Sequence, residues 1–402
     1  MTTGQKALSF FLARYEPTKK YCVVMSLEII DPADLIKRHI DHILLGQILV
    51  IAAFGLIMLY SASSAQSIYL TGGKTNSMYL TAHLKRLLIA FCAMTAFIFI
   101  DYRKLKQWAP ILIGVSFGLL SLGLILKIIS GSTFPARWIH LGPFTFQTSD
   151  FARLSVIIYL AAYLDTNHRK MTDFTNGLLP PILILATICS LIVLQPDFST
   201  AMVIALIGFV LLFIGGAKMS QLAACGSIGI TVSIPVLMLK SYRLDRILAW
   251  FNHEGANNYQ ASQSLISLGN GGLLGLGLGQ SMQKDQFLPT PHTDFIFAII
   301  GEETGFLGGM FLLFLFILIY RRGIKIAREC TDPFGIFLAV GIGFNLICYT
   351  FINVAVVTGI LPVTGLQIPM VSYGGSGLVI TLIGVGILLN ISQRKRSLIS
   401  PD

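Results

Sequence analysis

Apolar residues in this chain come in long unbroken blocks, not in the two-residue alternation of strands or the narrow stripe of a surface helix. A helix needs about 20 apolar residues to cross a bilayer. Blocks that meet or approach that length are 43–62, 86–101, 108–129, 151–164, 178–195, 199–216, 222–239, 294–320, 333–355 and 371–391. The second and fourth are short and must borrow flanking residues. Ten spans bring both termini to one side, so the expected fold is an all-α polytopic membrane protein. Residues 1–42 read as a cytoplasmic extension, 43–392 as the transmembrane domain and 393–402 as a cytoplasmic tail. The extension is mixed and charged, without the apolar core of a cleavable signal, and Met25 is a second candidate start.

Two segments interrupt the pattern. Residues 240–293, between the seventh and eighth spans, are polar and Gly-rich but keep the apolar patches LDRILAWF and SLISL. Such a loop is expected to pack back onto the bundle. Residues 353–377 hold too many glycines and prolines for a regular helix. Irregular backbone at membrane depth survives only where protein covers it or a polar cavity receives it.

Composition agrees with the pattern. The chain is 54% hydrophobic and 12% charged, with a mean hydropathy of +0.75, whereas soluble domains carry about a quarter charged residues. The net charge of +10 sits mostly in short loops. With the N-terminus inside, most lysines and arginines fall on the inner side, so both termini are expected in the cytoplasm. This distribution sets nucleic acid aside as a partner. The six cysteines lack CxxC or His-paired spacing, and read as buried thiols, not a disulfide framework or metal site.

The candidate chemistry begins with PTPHTDFIFAIIGEE, residues 289–303. Asp294 is expected at the outer surface in an N-terminal helical position, where a carboxylate also complements the helix dipole. Capping does not account for Glu302 and Glu303. They lie deeper, where an ionised side chain marks a functional site or a structural pair, with Arg153 or Lys127 as the partner for a pair. At 100° per residue, neither glutamate forms a close dyad with Asp294. Arg137 and Trp138 fall in an outer loop, and Asp150 and Arg153 open the fourth span. An arginine fork matches pyrophosphate oxygens, while an interfacial Trp beside a snorkelling Arg is the simpler account of Arg137 and Trp138. Arg243 and Arg246 add outer positive charge. GLGLGQ lacks the βαβ context of a dinucleotide fingerprint, and LGGM at 307–310 reads as helix packing. These residues by themselves leave a transporter and a lipid-handling enzyme equally open.

Several ordered motifs resemble the FtsW/RodA (SEDS) family of bacterial cell-wall synthesis. They are GLIMLYSASS (55–64), ARWIHLGPFTFQ (136–147), QPDFSTAMV (195–203), YQASQSL (259–265), QKDQFLPTPHTDFIFAIIGEETGFLGG (283–309) and GILPVTG…IPMVSYGGSG. The resemblance implies a peptidoglycan glycosyltransferase that polymerises lipid II at the outer face of the cytoplasmic membrane. It also implies a class B penicillin-binding protein as partner, beside other division-complex membrane proteins. The family's essential aspartate maps to Asp294. Arg137, Trp138, Arg153, Arg243, Arg246, Gln263, Ser264, Lys284, His292, Glu302, Glu303, Ser372, Gly374 and Gly375 become substrate-binding candidates, and a divalent cation (Mg or Mn) a candidate bridge between carboxylate and pyrophosphate. QTSDFAR stands where the family commonly has QPSE..K, so Asp150 and Arg153 keep the charge signs with altered reach. GLGQSMQK, QPDF and HTDFIFAIIGEE look more like the division branch, FtsW, than the elongation branch, RodA. A septal role is therefore expected; the alternatives are RodA-like elongation, a lipid II flippase and a non-catalytic scaffold.

Overall fold

The computed structural model describes residues 40–129, 137–141, 144–238, 248, 250, 259–285 and 287–393. The chain is an all-α polytopic membrane protein. In chain order its helices are α1 (His42–Leu70), α2 (Met78–Phe99), α3 (Arg103–Ile129), α4 (Thr148–Asn167), α5 (Leu179–Leu194), α6 (Phe198–Ile214), α7 (Met219–Met238), α8 (Tyr259–Gly271), α9 (Ile296–Glu329), α10 (Pro333–Val357) and α11 (Ser376–Ser392). A hairpin of β1 (Trp138–Leu141) and β2 (Phe144–Gln147) pairs Trp138 with Gln147 just before α4. Six helical segments are long and apolar enough to cross a membrane, and α6, α7 and α11 are shorter apolar helices. The fourth expected span appears as α4, whose charges, Asp150, Arg153 and Asp165, lower its hydropathy.

The bundle is centred on α9, α10 and α11. α2 packs on α11, α3 and α10 on α4, and α1 on α9. Polar pins close the end that holds both outermost described residues. Arg322 pairs with Asp41 at 2.7 Å, the Asp41 N–H donates to Ser392 at 3.2 Å, and Asn390 donates to the Ile98 carbonyl at 2.6 Å. The loop before α9 does return to the bundle, since α8 lies against α9.

The return goes further than surface packing. α9 begins at Ile296, two residues later than Asp294, and it is broken at Gly305, whose φ and ψ are 70° and −170°. In an unbroken helix the Phe306 and Leu307 N–H groups would reach the carbonyls of residues 302 and 303. Here they donate to Gly272 (2.9 Å) and Leu273 (3.2 Å) instead, while the Glu302 and Glu303 carbonyls accept from Leu276 (2.9 Å) and Gly277 (3.0 Å). All four groups freed by the break are therefore satisfied by one inserted loop. That condition is strict where hydrocarbon offers no partner.

Glycine makes the approach feasible. A Cβ at Gly305 would overlap the Gly275 nitrogen and the Leu273 carbonyl, and one at Gly275 (φ 82°) would overlap the Glu303 carbonyl. The GLGLGQ stretch is thus part of a tertiary insertion. In LGGM a Cβ at Gly308 would meet Thr304, and one at Gly309 would meet Phe297, which lies across the Gly305 break.

Gly305→Ala should lower stability by about 1–3 kcal/mol from backbone strain alone, with further loss from the overlap. A reduced unfolding temperature of the purified protein in detergent would register this.

Candidate functional site

Directly beneath the inserted loop lie the two glutamates, 0% and 1% exposed. Glu302 accepts from Ser281 Oγ at 2.5 Å, Ser267 Oγ at 3.1 Å and Asn270 Nδ2 at 3.2 Å. Glu303 accepts from Ser61 Oγ at 2.6 Å, Lys284 Nζ at 3.2 Å and the Ser281 N–H at 3.3 Å. Successive residues on a helix point about 100° apart, so one carboxylate reaches α8 and the other α1, while Ser281 bridges both. Lys284 is Glu303's partner, in place of the expected Arg153 or Lys127. A buried carboxylate is costly unless its oxygens find partners; Glu303 has a cation and hydrogen-bond donors, and Glu302 has hydrogen-bond donors.

Asp294 sits two residues before α9, half-buried, in a turn and not in the helix. The helix cap position belongs to Phe295, which has no side-chain acceptor. The turn is braced from two sides. Asn353 of α10 donates to the Asp294 carbonyl at 2.7 Å and to the Leu366 carbonyl at 2.6 Å. The Tyr373 N–H donates to the His292 carbonyl at 2.9 Å. The carboxylate lies against Gly365 (φ 75°), where a Cβ would stand 3.3 Å from Oδ2. The irregular segment after α10 therefore wraps the turn that carries Asp294. Burial pushes the His292 ring down to about 4, so it is neutral near pH 7.

A second polar network fixes the hairpin. The Gln147 N–H donates to Ser376 Oγ and Ser376 Oγ to Asp150 Oδ2, both at 2.9 Å. Asp197 of the QPDF motif accepts from Gln147 Nε2 at 3.0 Å and Ser149 Oγ at 3.1 Å. Arg153, 4% exposed, stands 3.7 Å from Asp150 and stacks over the Tyr349 ring at 4.3 Å.

The sequence candidates thus separate by position. Asp294 and His292 come together with the segment that holds Ser372, Gly374 and Gly375. Within it Ser372 Oγ accepts from the Ile368 N–H at 3.0 Å, Gly374 lies against Gln367, and Gly375 against Thr145 of the hairpin. Ser264 donates to the Val357 carbonyl at 2.9 Å, tying α8 to α10, and Gln263 is half-buried on α8. Arg137 is exposed at the start of the hairpin and Trp138 is half-buried on it. Arg153, Lys284, Glu302 and Glu303 are engaged in the two networks. Arg243 and Arg246 lie outside the described residues. Sequence reasoning missed Tyr79, His83 and Arg86, whose i, i+4, i+7 spacing puts them on one face of α2. The Tyr79 and Tyr373 rings stand 4.2 and 5.6 Å from that of His292.

A family model for FtsW, RodA and SpoVE, described as cell cycle protein, matches residues 41–397. The chain is 38% identical over 366 residues to stage V sporulation protein E of Bacillus subtilis, covering 90% of this chain and 99% of that one. It is also 38% identical over 367 residues to the probable peptidoglycan glycosyltransferase FtsW of Geobacter sulfurreducens, covering 89% and 96%. Among solved structures it is similar to a chain from a study of the structural coordination of polymerization and crosslinking by a peptidoglycan synthase complex (TM-score 0.71, 26% identity, 88% and 97% covered). It is also similar to the rod shape determining protein RodA of Thermus thermophilus (TM-score 0.65, 25% identity, 88% and 96% covered).

Lys284→Met should cost about 3–5 kcal/mol, because it strands the Glu303 carboxylate in the interior. The double variant Lys284→Met/Glu303→Gln should recover much of that loss. A double-mutant cycle on unfolding in detergent reads the coupling, and additive losses would contradict the pairing.

Proposed function

The chain belongs to the FtsW/RodA/SpoVE family, and on that premise we propose that it is a peptidoglycan glycosyltransferase that polymerises lipid II at the outer face of the cytoplasmic membrane. The carrying observation is the half-buried Asp294, held on a turn braced by Asn353 and Tyr373. In the transfer, a sugar hydroxyl of the acceptor attacks the anomeric carbon of the donor. The new C–O bond forms as the bond to the pyrophosphate oxygen breaks, the electron pair leaves with the pyrophosphate, and the hydroxyl proton passes to Asp294. A positioned carboxylate is suited to that transfer, and a braced turn limits the reorganisation needed to bring it into line.

Arg137 is exposed and accessible to a polyprenyl pyrophosphate, and Arg243 and Arg246 remain candidates for the same task. Arg153 has the stronger claim to a structural part, holding the start of α4 through Asp150 and Tyr349. Among the described residues no cluster of three or more His, Cys, Asp or Glu forms a cation cage, and the oxygens of Glu302 and Glu303 are engaged elsewhere. A cation shared by Asp294 and substrate would draw its other ligands from phosphate and water, and no step here is routed through one.

A flippase would need functional charges along a path through the membrane. Among the described residues the buried cations Lys284 and Arg153 are paired with Glu303 and Asp150, which favours the enzyme. The partner proposed is a class B penicillin-binding protein that crosslinks the product. The setting proposed is the division septum, with both termini in the cytoplasm. The equal identity to a sporulation protein favours a second reading, in which the same polymerisation serves spore formation.

Asp294→Asn keeps the size of the side chain and the backbone bonds of the turn. It should abolish glycan polymerisation from purified lipid II, with unfolding temperature and partner binding unchanged; glycan of normal length from that variant would remove Asp294 from the chemistry. Depletion should give cells that elongate without septating, with a tagged copy at midcell. Rounded cells that still divide would point to elongation instead, and loss confined to spores to the second reading.

A further inference from the structure

The irregular segment that braces the Asp294 turn is itself seated on α1, main chain against main chain. Gly55 is buried in the middle of α1 and faces Met370 and Val371. A Cβ at Gly55 would stand 2.7 Å from the Met370 carbonyl oxygen and 2.9 Å from the Val371 Cα. Both are backbone atoms, so no change of rotamer in a neighbour makes room for a methyl group. Gly46, in the same helix, has nothing within 4 Å of where its Cβ would lie. The close approach therefore belongs to position 55 and not to α1 glycines in general.

Local strain coincides with this contact. Met370 has a φ of 64°, a left-handed value that is costly for a residue with a side chain and persists only where the surroundings impose it. The turn is also closed by its own bonds. The Val371 and Ser372 N–H groups both donate to the Ile368 carbonyl, at 3.3 and 3.1 Å, and the Ile368 N–H donates to Ser372 Oγ at 3.0 Å. A turn tied in this way shifts as one piece. Tyr373 follows it directly, and its N–H holds the His292 carbonyl at 2.9 Å, two residues before Asp294. The path from Gly55 to the Asp294 turn thus runs through the main chain.

We propose that Gly55 is a positioning residue for the transfer: its missing side chain sets the depth at which the 368–372 turn seats on α1, and through Tyr373 it sets where Asp294 stands. The atoms nearest Gly55 belong to that turn, so it acts through the turn and not on substrate. The same helix also donates Ser61 Oγ to Glu303 at 2.6 Å. α1 thereby supports the Asp294 turn from two directions, through the brace at Tyr373 and through the anchor at Glu303. The inference rests on the glycosyltransferase reading for the reaction that Gly55 serves, and on the contacts alone for the seating of the turn.

The test compares Gly55→Ala with Gly46→Ala in the full chain, in nanodiscs, with purified lipid II. Gly55→Ala should lower kcat about tenfold to a hundredfold, the scale of a reacting group misplaced by about 1 Å, with KM unchanged. Gly46→Ala should leave both unchanged. Hydrogen exchange supplies the readout that a plain loss of stability would not move. The Tyr373 amide should exchange faster in Gly55→Ala, while the amides of α9 and α10 keep their wild-type rates. A folded Gly55→Ala protein with wild-type kcat, or faster exchange spread evenly over the bundle, would overturn the proposal. So would a Tyr373 amide that exchanges at once in the unsubstituted protein, a result that does not depend on the variant folding. A wild-type protein that polymerises nothing, with Tyr373 exchange still set by residue 55, would sink the catalytic reading and leave the seating of the turn standing.

Discussion

A backbone break inside a membrane helix must be repaired by other backbone, and most of this architecture follows from that requirement. At Gly305 the α9 ladder opens, and four groups lose their helical partners within a few residues. Residues 272–277 supply all four replacements. The inserted loop must come close enough to hydrogen-bond, so glycine is needed on both sides of the contact. It must also stay put, so the carboxylates of Glu302 and Glu303 grip it through Ser281, Asn270 and Lys284. Carboxylates that would be costly alone are tolerable because the loop brings their partners with it.

The Asp294 turn inherits its position from this anchor. The loop leaves the break, passes Lys284 and reaches His292 and Asp294 before re-entering the same helix. One end is hydrogen-bonded across the Gly305 break and the other runs into α9 at Ile296, and the intervening turn is held from the side by Asn353 and Tyr373. A carboxylate on such a turn can be half-buried and still accurately placed. The charge economy is consistent with this division of labour. Buried ionic groups hold elements together through Glu303–Lys284 and Asp41–Arg322, while Arg137 is exposed.

The apolar helical blocks and the irregular segments were legible in the sequence because bilayer thickness sets the length of an apolar block. Asp294 was conspicuous as a carboxylate at the mouth of an apolar run, but its place on a turn, outside the helix, was not legible. The partners of Glu302 and Glu303 were not legible either. The loop that satisfies them lies 19 or more residues earlier in the chain, and nothing local says that it folds back to membrane depth. The same holds for GLGLGQ, whose glycines have no helical or strand period to announce a packing contact.

The sequence alone thus determined the class of the protein, the order of its helices and the family to which its motifs belong. These depend on composition and short-range pattern, which survive without knowledge of the fold. Only the tertiary structure decided that Lys284 neutralises Glu303, that Arg153 is committed to Asp150 and Tyr349, and that Arg86 meets His83 and His292 around Tyr373. Lys284–Glu303, Arg153–Tyr349 and Arg86–Tyr373 are contacts across elements, and the last two join parts of the chain far apart in sequence. Partner choice in a bundle is set by rotation and depth of whole helices, quantities that hydropathy does not encode.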